Sequence, residues 1–290
     1  LRKPGARDTV DTTTGHTVPV IRRVSAFLDL EVIDPARLFF TIAVAGGAQQ
    51  LLEETLTLTV NGAPVDAIEL PAGHDGRMHL LDAQPGRVVL RYTAAVASEP
   101  LPPVFGRIPD PLEDLHYLLP SRYCESDRLL AIASSEFAGI TSRKDLLAAV
   151  SSWVGGRLFY VPGSSGPTDG AVDTLLAGAG VCRDYAHLTV ALLRALEVPA
   201  RLAAVYAPGL SPMDFHAVAE ALVDGEWLVV DSTLLAPRSS LVRIATGRDA
   251  ADTAFLTNFG GRVNLIGMEV SAIVDGMLPS DDVLSLVRLS

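Results

Sequence analysis

Three side chains in this chain could together cleave or transfer an acyl group: a thiol, an imidazole and a carboxylate. Cys182 follows Gly178 and Gly180 and opens the run Val181-Cys182-Arg183-Asp184-Tyr185-Ala186-His187-Leu188, whose apolar helical pattern continues through Leu196 to Pro199. That pattern places the thiol in the first turn of a helix. There the unpaired N–H groups and the positive end of the helix dipole favour the thiolate, which is the nucleophilic form. The same donors suit the oxyanion of a tetrahedral intermediate, and glycine at 178 and 180 lets the backbone approach a bound acyl group closely. Taken alone, a cysteine at a helix start is more often simply buried and inert.

The imidazole and the carboxylate come from a predicted hairpin. His216–Val223 and Glu226–Asp231 read as strands around Asp224-Gly225, a dipeptide suited to a two-residue turn in which both residues take positive φ. In that register Val218 faces Asp231 and His216 faces Thr233, so His216 and Asp231 are diagonal neighbours. Diagonal positions on one face lie roughly 7–8 Å apart between backbones, within reach of a carboxylate and a ring N–H. Such a pairing fixes the histidine tautomer, leaving the other ring nitrogen to accept the thiol proton. A bulge would break the register. The competing roles are a strand histidine bonded to backbone, and an aspartate making a turn with Ser232 and Thr233.

The three blocks Gly180–Leu188, Asp214-Phe215-His216-Ala217 and Trp227-Leu228-Val229-Val230-Asp231-Ser232-Thr233 resemble, in content and order, the core of the transglutaminase-like superfamily. The resemblance implies a papain-like Cys-His-Asp triad for acyl transfer, with Cys182 as nucleophile, His216 as base and Asp231 as its orienter. It extends to Tyr117–Asp127 and Thr246–Asp252, which look like segments of bacterial members that carry an N-terminal β-sandwich. Members often carry Trp two residues after the motif histidine. Val218 stands there in this chain, so a different groove wall is expected.

Two activities follow from the resemblance and share every catalytic residue: hydrolysis of a peptide or glutamine amide, and transfer of the acyl group to an amine. A non-catalytic binding or scaffold protein that keeps the fold is the alternative. The expected partner is a protein or peptide substrate, with no cofactor and no metal.

The remaining sequence must position these residues. At 290 residues two domains are expected, and 49% hydrophobic with 20% charged residues marks a folded protein. The fold class expected is α+β: an antiparallel β-sandwich over 1–105, a Pro-rich linker over 106–125, and a papain-like, transglutaminase-like domain over 126–290 with helices packed on an antiparallel sheet. Short strands at Arg23–Val32, Leu38–Val44, Leu56–Val60 and Val88–Ala95, with a turn at Asn61-Gly62, carry the first part. Pro102, Pro103, Pro109, Pro111 and Pro120 mark the linker. Helices at Glu125–Ala138 and Ser142–Trp153 open the second part.

Acidic residues outnumber basic ones 34 to 23, and the basic ones are scattered, so no nucleic-acid partner is expected. Arg194 and other charges interrupt the apolar stretches, so no membrane span is expected, and Leu1–Val20 lacks the apolar run of a secretory leader. With two cysteines, Cys124 and Cys182, a disulfide framework is excluded and a reducing, cytoplasmic setting is expected. Cys124, beside Glu125, is expected to be structural, with a Cys124–Cys182 bridge still open. His187 is five residues past Cys182, the wrong step for a shared metal site. Arg183 and Asp184 are expected to cap the helix start or form a salt bridge there, whereas Trp153 and Tyr160 fit either core packing or a place beside the nucleophile.

Overall fold

The computed structural model describes residues 20–47, 50–98 and 110–289. Residues 1–19, and Pro102, Pro103 and Pro109 of the expected linker, lie outside them. The chain begins with strands β1 (Val20–Val32), β2 (Ala36–Phe40), β3 (Gln50–Val60), β4 (Ala63–Val65), β5 (Ile68–Pro71), β6 (Arg77–Ala83) and β7 (Gly86–Ser98). Helices α1 (Pro111–His116), α2 (Ser126–Glu136) and α3 (Arg143–Arg157) follow, then β8 (Phe159–Tyr160), α4 (Ala171–Ala177), β9 (Ala179–Gly180) and α5 (Cys182–Ala195). The remainder is β10 (Ala200–Tyr206), β11 (Phe215–Val223), β12 (Glu226–Val230), β13 (Val242–Gly247), α6 (Ala250–Thr253), β14 (Leu256–Phe259) and β15 (Val263–Val274).

The first unit is two antiparallel sheets, ordered β15-β1-β7-β3-β4 and β14-β2-β6-β5. Alternating residues such as Leu28, Leu30, Leu38, Phe40 and Leu90 are fully buried in one cluster shared by both sheets. Asn61 and Gly62, with φ of 51° and 82°, make the expected tight turn from β3 into β4. The expected strand over Leu38–Val44 stops at Phe40. Beyond it the amides of Thr41 and Ala45 donate to Phe255 and Arg243, so this segment spans to the second unit.

The C-terminal strands correct the expected boundary. β15 pairs with β1, setting Arg22 against Val274, and β14 pairs with β2, setting Phe40 against Leu256. Residues 256–274 therefore complete the sheets of the first unit, although the sequence division assigned them to 126–290. Pairing between segments so distant in the chain leaves no local pattern to read.

The second unit is a four-stranded antiparallel sheet, β12-β11-β10-β13, against which α5 packs under α2, α3 and α4. Leu188, Val190, Ala191, Leu192 and Leu193 of α5 are all fully buried, because this helix is enclosed on all sides, its polar residues Asp184, His187, Thr189 and Arg194 included. Buried Arg194 is satisfied by the carbonyls of Ala200, Leu119 and Arg248 and by Ser121 Oγ. It thereby ties together the two segments, 117–127 and 246–252, that flank the core motifs. No helix among the described residues is long and apolar enough to cross a membrane.

Candidate active site

The start of α5 is set by a glycine and an aspartate. Gly178 ends α4 with φ of 65°, and Ala179-Gly180 then pairs in parallel with Phe159-Tyr160. A Cβ on Gly180 would lie 2.6 Å from Cβ of Asp184, so only glycine fits. Asp184 is buried and accepts the Val181 N–H at 2.8 Å and the Ser165 hydroxyl, while pairing with Arg183 at 2.9 Å. Asp184 thus caps the helix start and Arg183 forms a salt bridge to it, the two roles expected of this pair. Cys182 occupies the first helical turn, half-buried and free, with Sγ 4.0 Å from the Phe215 carbonyl oxygen.

The hairpin supplies the other two side chains. Asp224 and Gly225 have φ of 53° and 80°, and the ladder runs from Val223–Glu226 to Ala219–Val230 in the expected register. It ends before His216 would meet Thr233. His216 Nε2 nevertheless lies 3.0 Å from Asp231 Oδ2, with both side chains buried. Asp231 Oδ1 accepts the Thr233 N–H at 2.9 Å and its hydroxyl at 2.7 Å. The aspartate therefore makes the local turn with one oxygen and holds the histidine with the other.

Packing fixes this segment from behind. Ser151 Oγ donates to the Asp231 carbonyl, Thr189 and Ser232 hydroxyls meet at 2.8 Å, and a Cβ on Gly155 would sit 2.7 Å from the Ser232 carbonyl oxygen. Helices α3 and α5 thus hold the end of β12 rigidly against His216.

Electrostatics follow from the geometry. Burial alone would lower the His216 pKa, but the Asp231 charge and hydrogen bond, with Cys182 beside the ring, raise it to about 10. Burial would conversely raise Asp231, and His216 together with the two Thr233 contacts brings it below the usual carboxylate range. Both shifts favour the imidazolium–carboxylate form of the pair. Nδ1 of His216 is buried and makes no hydrogen bond within the protein, so it is the ring nitrogen left for the Cys182 side.

Tyr160 is a neighbour whose position the sequence did not decide. The short parallel pair β8-β9 sets it opposite Gly180, and its hydroxyl lies against Cys182. Burial and the Cys182 charge raise its pKa to about 12, which keeps the phenol a donor at neutral pH. A two-residue strand is too short to show as a sequence pattern.

Other sequence expectations resolve by burial. Cys124 is free and fully buried, and burial pushes its thiol far up; the open possibility of a bridge to Cys182 is not realised. His187 is buried, stacked on Tyr123, and accepts the Ala250 N–H at Nε2; burial lowers its pKa to about 4, so it is neutral scaffolding. Trp153 packs edge-on against Phe137 and donates to Glu136, away from the thiol. Val218 is 1% exposed in a cluster with Ala203, Val205 and Val229. Ala217, not Val218, lines the cavity beside Cys182. Among the described residues, no group of three or more His, Cys, Asp or Glu could hold a metal.

The transglutaminase-like superfamily core profile matches residues 131–232, the span that contains the thiol and the hairpin. A solved structure from Cytophaga hutchinsonii, named provisionally as a cysteine protease, is 32% identical and covers 93% of this chain and 96% of its own, with a TM-score of 0.83. The chain belongs to the transglutaminase-like superfamily. This superfamily member is also 27% identical over 157 residues to an uncharacterised Mycobacterium leprae protein, of which it spans 55%. The periplasmic domain of TgpA from Pseudomonas aeruginosa is 22% identical over 77% of this chain and 92% of that one, with a TM-score of 0.39.

Proposed function

We propose that this protein is a thiol enzyme acting on peptide or glutamine amide bonds through a covalent acyl-enzyme. The observation that carries the reading is the buried His216–Asp231 pair, whose other ring nitrogen is not taken up by a protein N or O atom and whose ring interacts with Cys182. In the first step the Cys182 sulfur attacks the amide carbon, and the thiol proton resides on His216. The oxyanion collects beside the N–H groups at the start of α5 and the Tyr160 hydroxyl. The C–N bond then breaks as His216 gives its proton to the leaving amine, leaving a thioester. Water or an amine attacks the thioester, His216 takes its proton, and the thiolate departs.

Hydrolysis and transfer differ only in the acceptor. A test is to incubate the protein with glutamine-containing and other peptide amides, with and without a primary amine, and identify products by mass. The expected result is a carboxylate or amine adduct that Cys182→Ala abolishes. Unchanged turnover in Cys182→Ala would contradict the proposal, and no turnover or thioester with any amide would favour a binding role for the fold.

A further inference from the structure

Beside Cys182 and His216 lies a cavity of about 230 Å³ that the chemistry above leaves unused. Its floor is Leu202 and Ile244, each 1% exposed, on β10 and β13. One wall is an aromatic stack, Phe215 against Phe255 at 5.2 Å and 19°, backed by Tyr206. Met268 from β15 and Thr41, just past β2, also line it. Met268 belongs to the first unit, so the two-sheet unit reaches the cavity beside the catalytic groups.

We infer that this cavity receives an apolar side chain of the substrate next to the amide attacked by Cys182, and that Met268 of the two-sheet unit is one of its specificity-determining residues. The inference rests on the amide-directed reading of Cys182 and His216. Its lining decides the chemistry. Arg183 at the rim is already engaged by Asp184, Ser165 and the Gly166 carbonyl, and Asp214 accepts the Phe215 N–H at 2.7 Å. Thr253 Oγ1 donates to the Asp249 carbonyl. A polar side chain seated on Leu202 and Ile244 would lose its water against apolar carbon, with the second Asp214 oxygen and Thr41 the polar groups of the lining not already engaged, whereas a leucine-sized group or phenyl ring would bury apolar surface. The size also fits one side chain, being below that of a pocket for a whole drug-sized ligand.

The test uses three chloroacetamides that differ only in the N-substituent: phenethyl, 2-hydroxyethyl and 4-aminobutyl. The second-order rate of Cys182 alkylation in the full chain is measured for each, normalised to its rate with free glutathione. The phenethyl reagent is expected to react about tenfold faster than the hydroxyethyl one, matching the burial of one ring. Met268→Glu is expected to bring that ratio close to one. Ala254→Leu, which fills the cavity from the end of α6 instead of from the sheets, is expected to do the same, and thermal melts establish that each variant is folded.

Equal normalised rates in the wild type would overturn the inference, as would a preference for the aminobutyl reagent drawn to Asp214. A phenethyl preference that persists in both folded variants would also overturn it. These failures are distinguishable from failure of the catalytic reading. In the latter case no reagent shows a rate that depends on His216, whatever its substituent.

Discussion

Asp231 Oδ2 holds His216 Nε2 at 3.0 Å beyond the last paired rung of the hairpin, where the ladder has already opened after Ala219–Val230. The contact is made by side chains across a gap, so it depends on what fixes Asp231. That is Thr233 on one side and the Ser151 and Ser232 contacts on the other.

Removing the Asp231 charge should have two effects. Asp231→Asn is expected to lower amide turnover by about 10⁴-fold, as loss of the orienting carboxylate does in other triads. It should also change stability with pH. The raised His216 pKa stabilises the fold fully below the unfolded value of 6.5, and this contribution is lost as pH rises through about 10. The depressed Asp231 pKa contributes above its unfolded value of 3.8 and is lost as pH falls through the folded one. The difference in melting temperature between wild type and variant should therefore be widest between these two unfolded values and shrink toward pH 10. A gap unchanged at pH 10.5 would count against the buried ion pair.

Tyr160→Phe removes a hydroxyl beside Cys182 without changing the shape of the ring. If that hydroxyl helps hold the oxyanion, kcat should fall about 10²-fold with little change in KM. Alkylation of Cys182 by a small halide reagent, which forms no oxyanion, should continue. An unchanged kcat would leave Tyr160 as packing.

Gly180→Ala would bring a methyl group within 2.6 Å of Asp184 Cβ, at the point where the backbone turns into α5. The cost expected from forced overpacking is about 1–3 kcal/mol, measured by urea unfolding. Because the shift falls at the first turn of α5, Cys182 alkylation should slow as well. An alanine variant with wild-type stability and labelling would show that the Gly180–Asp184 approach is not a constraint.

Much of the site was legible because its signals are local. The glycines before Cys182 and the Asp224-Gly225 turn each report one short stretch of backbone, and the turn sets the register that carries His216 toward Asp231. What was not legible came from long-range pairing. β15 reaching β1 brings Met268 to the cleft, the two-residue β8-β9 pair brings Tyr160 to the thiol, and neither has a periodic signature. The expected domain boundary failed for the same reason.

Glu220 is another feature the sequence did not reveal. It sits fully buried on β11, four residues past His216, and is bonded by Arg201 at 2.9 Å and Arg243 at 2.7 Å. Burial would raise its pKa, yet the two arginines lower it to about 2. Glu220→Gln removes the buried carboxylate that both cations share, leaving Arg201 only the longer 3.7 Å contact to Glu113 on that side, and is expected to cost about 3–5 kcal/mol in urea unfolding at pH 7. Since a depressed carboxylate keeps its contribution until pH falls through the folded pKa, most of that difference should survive at pH 3.5. Its disappearance by pH 4 would mean that Glu220 titrates like an exposed glutamate.

The thiol–imidazole pairing is tested by the pH dependence of Cys182 alkylation by iodoacetamide in wild type and His216→Ala, with the modified residue located by peptide mass. Cys124 is buried and should stay unmodified in the folded protein. Wild-type Cys182 is expected to react readily even at pH 6, where His216 is protonated, and His216→Ala to lose this reactivity. If both proteins instead gain reactivity together as pH rises, like an isolated thiol, the thiol and imidazole do not act as a pair and the proposed chemistry is wrong.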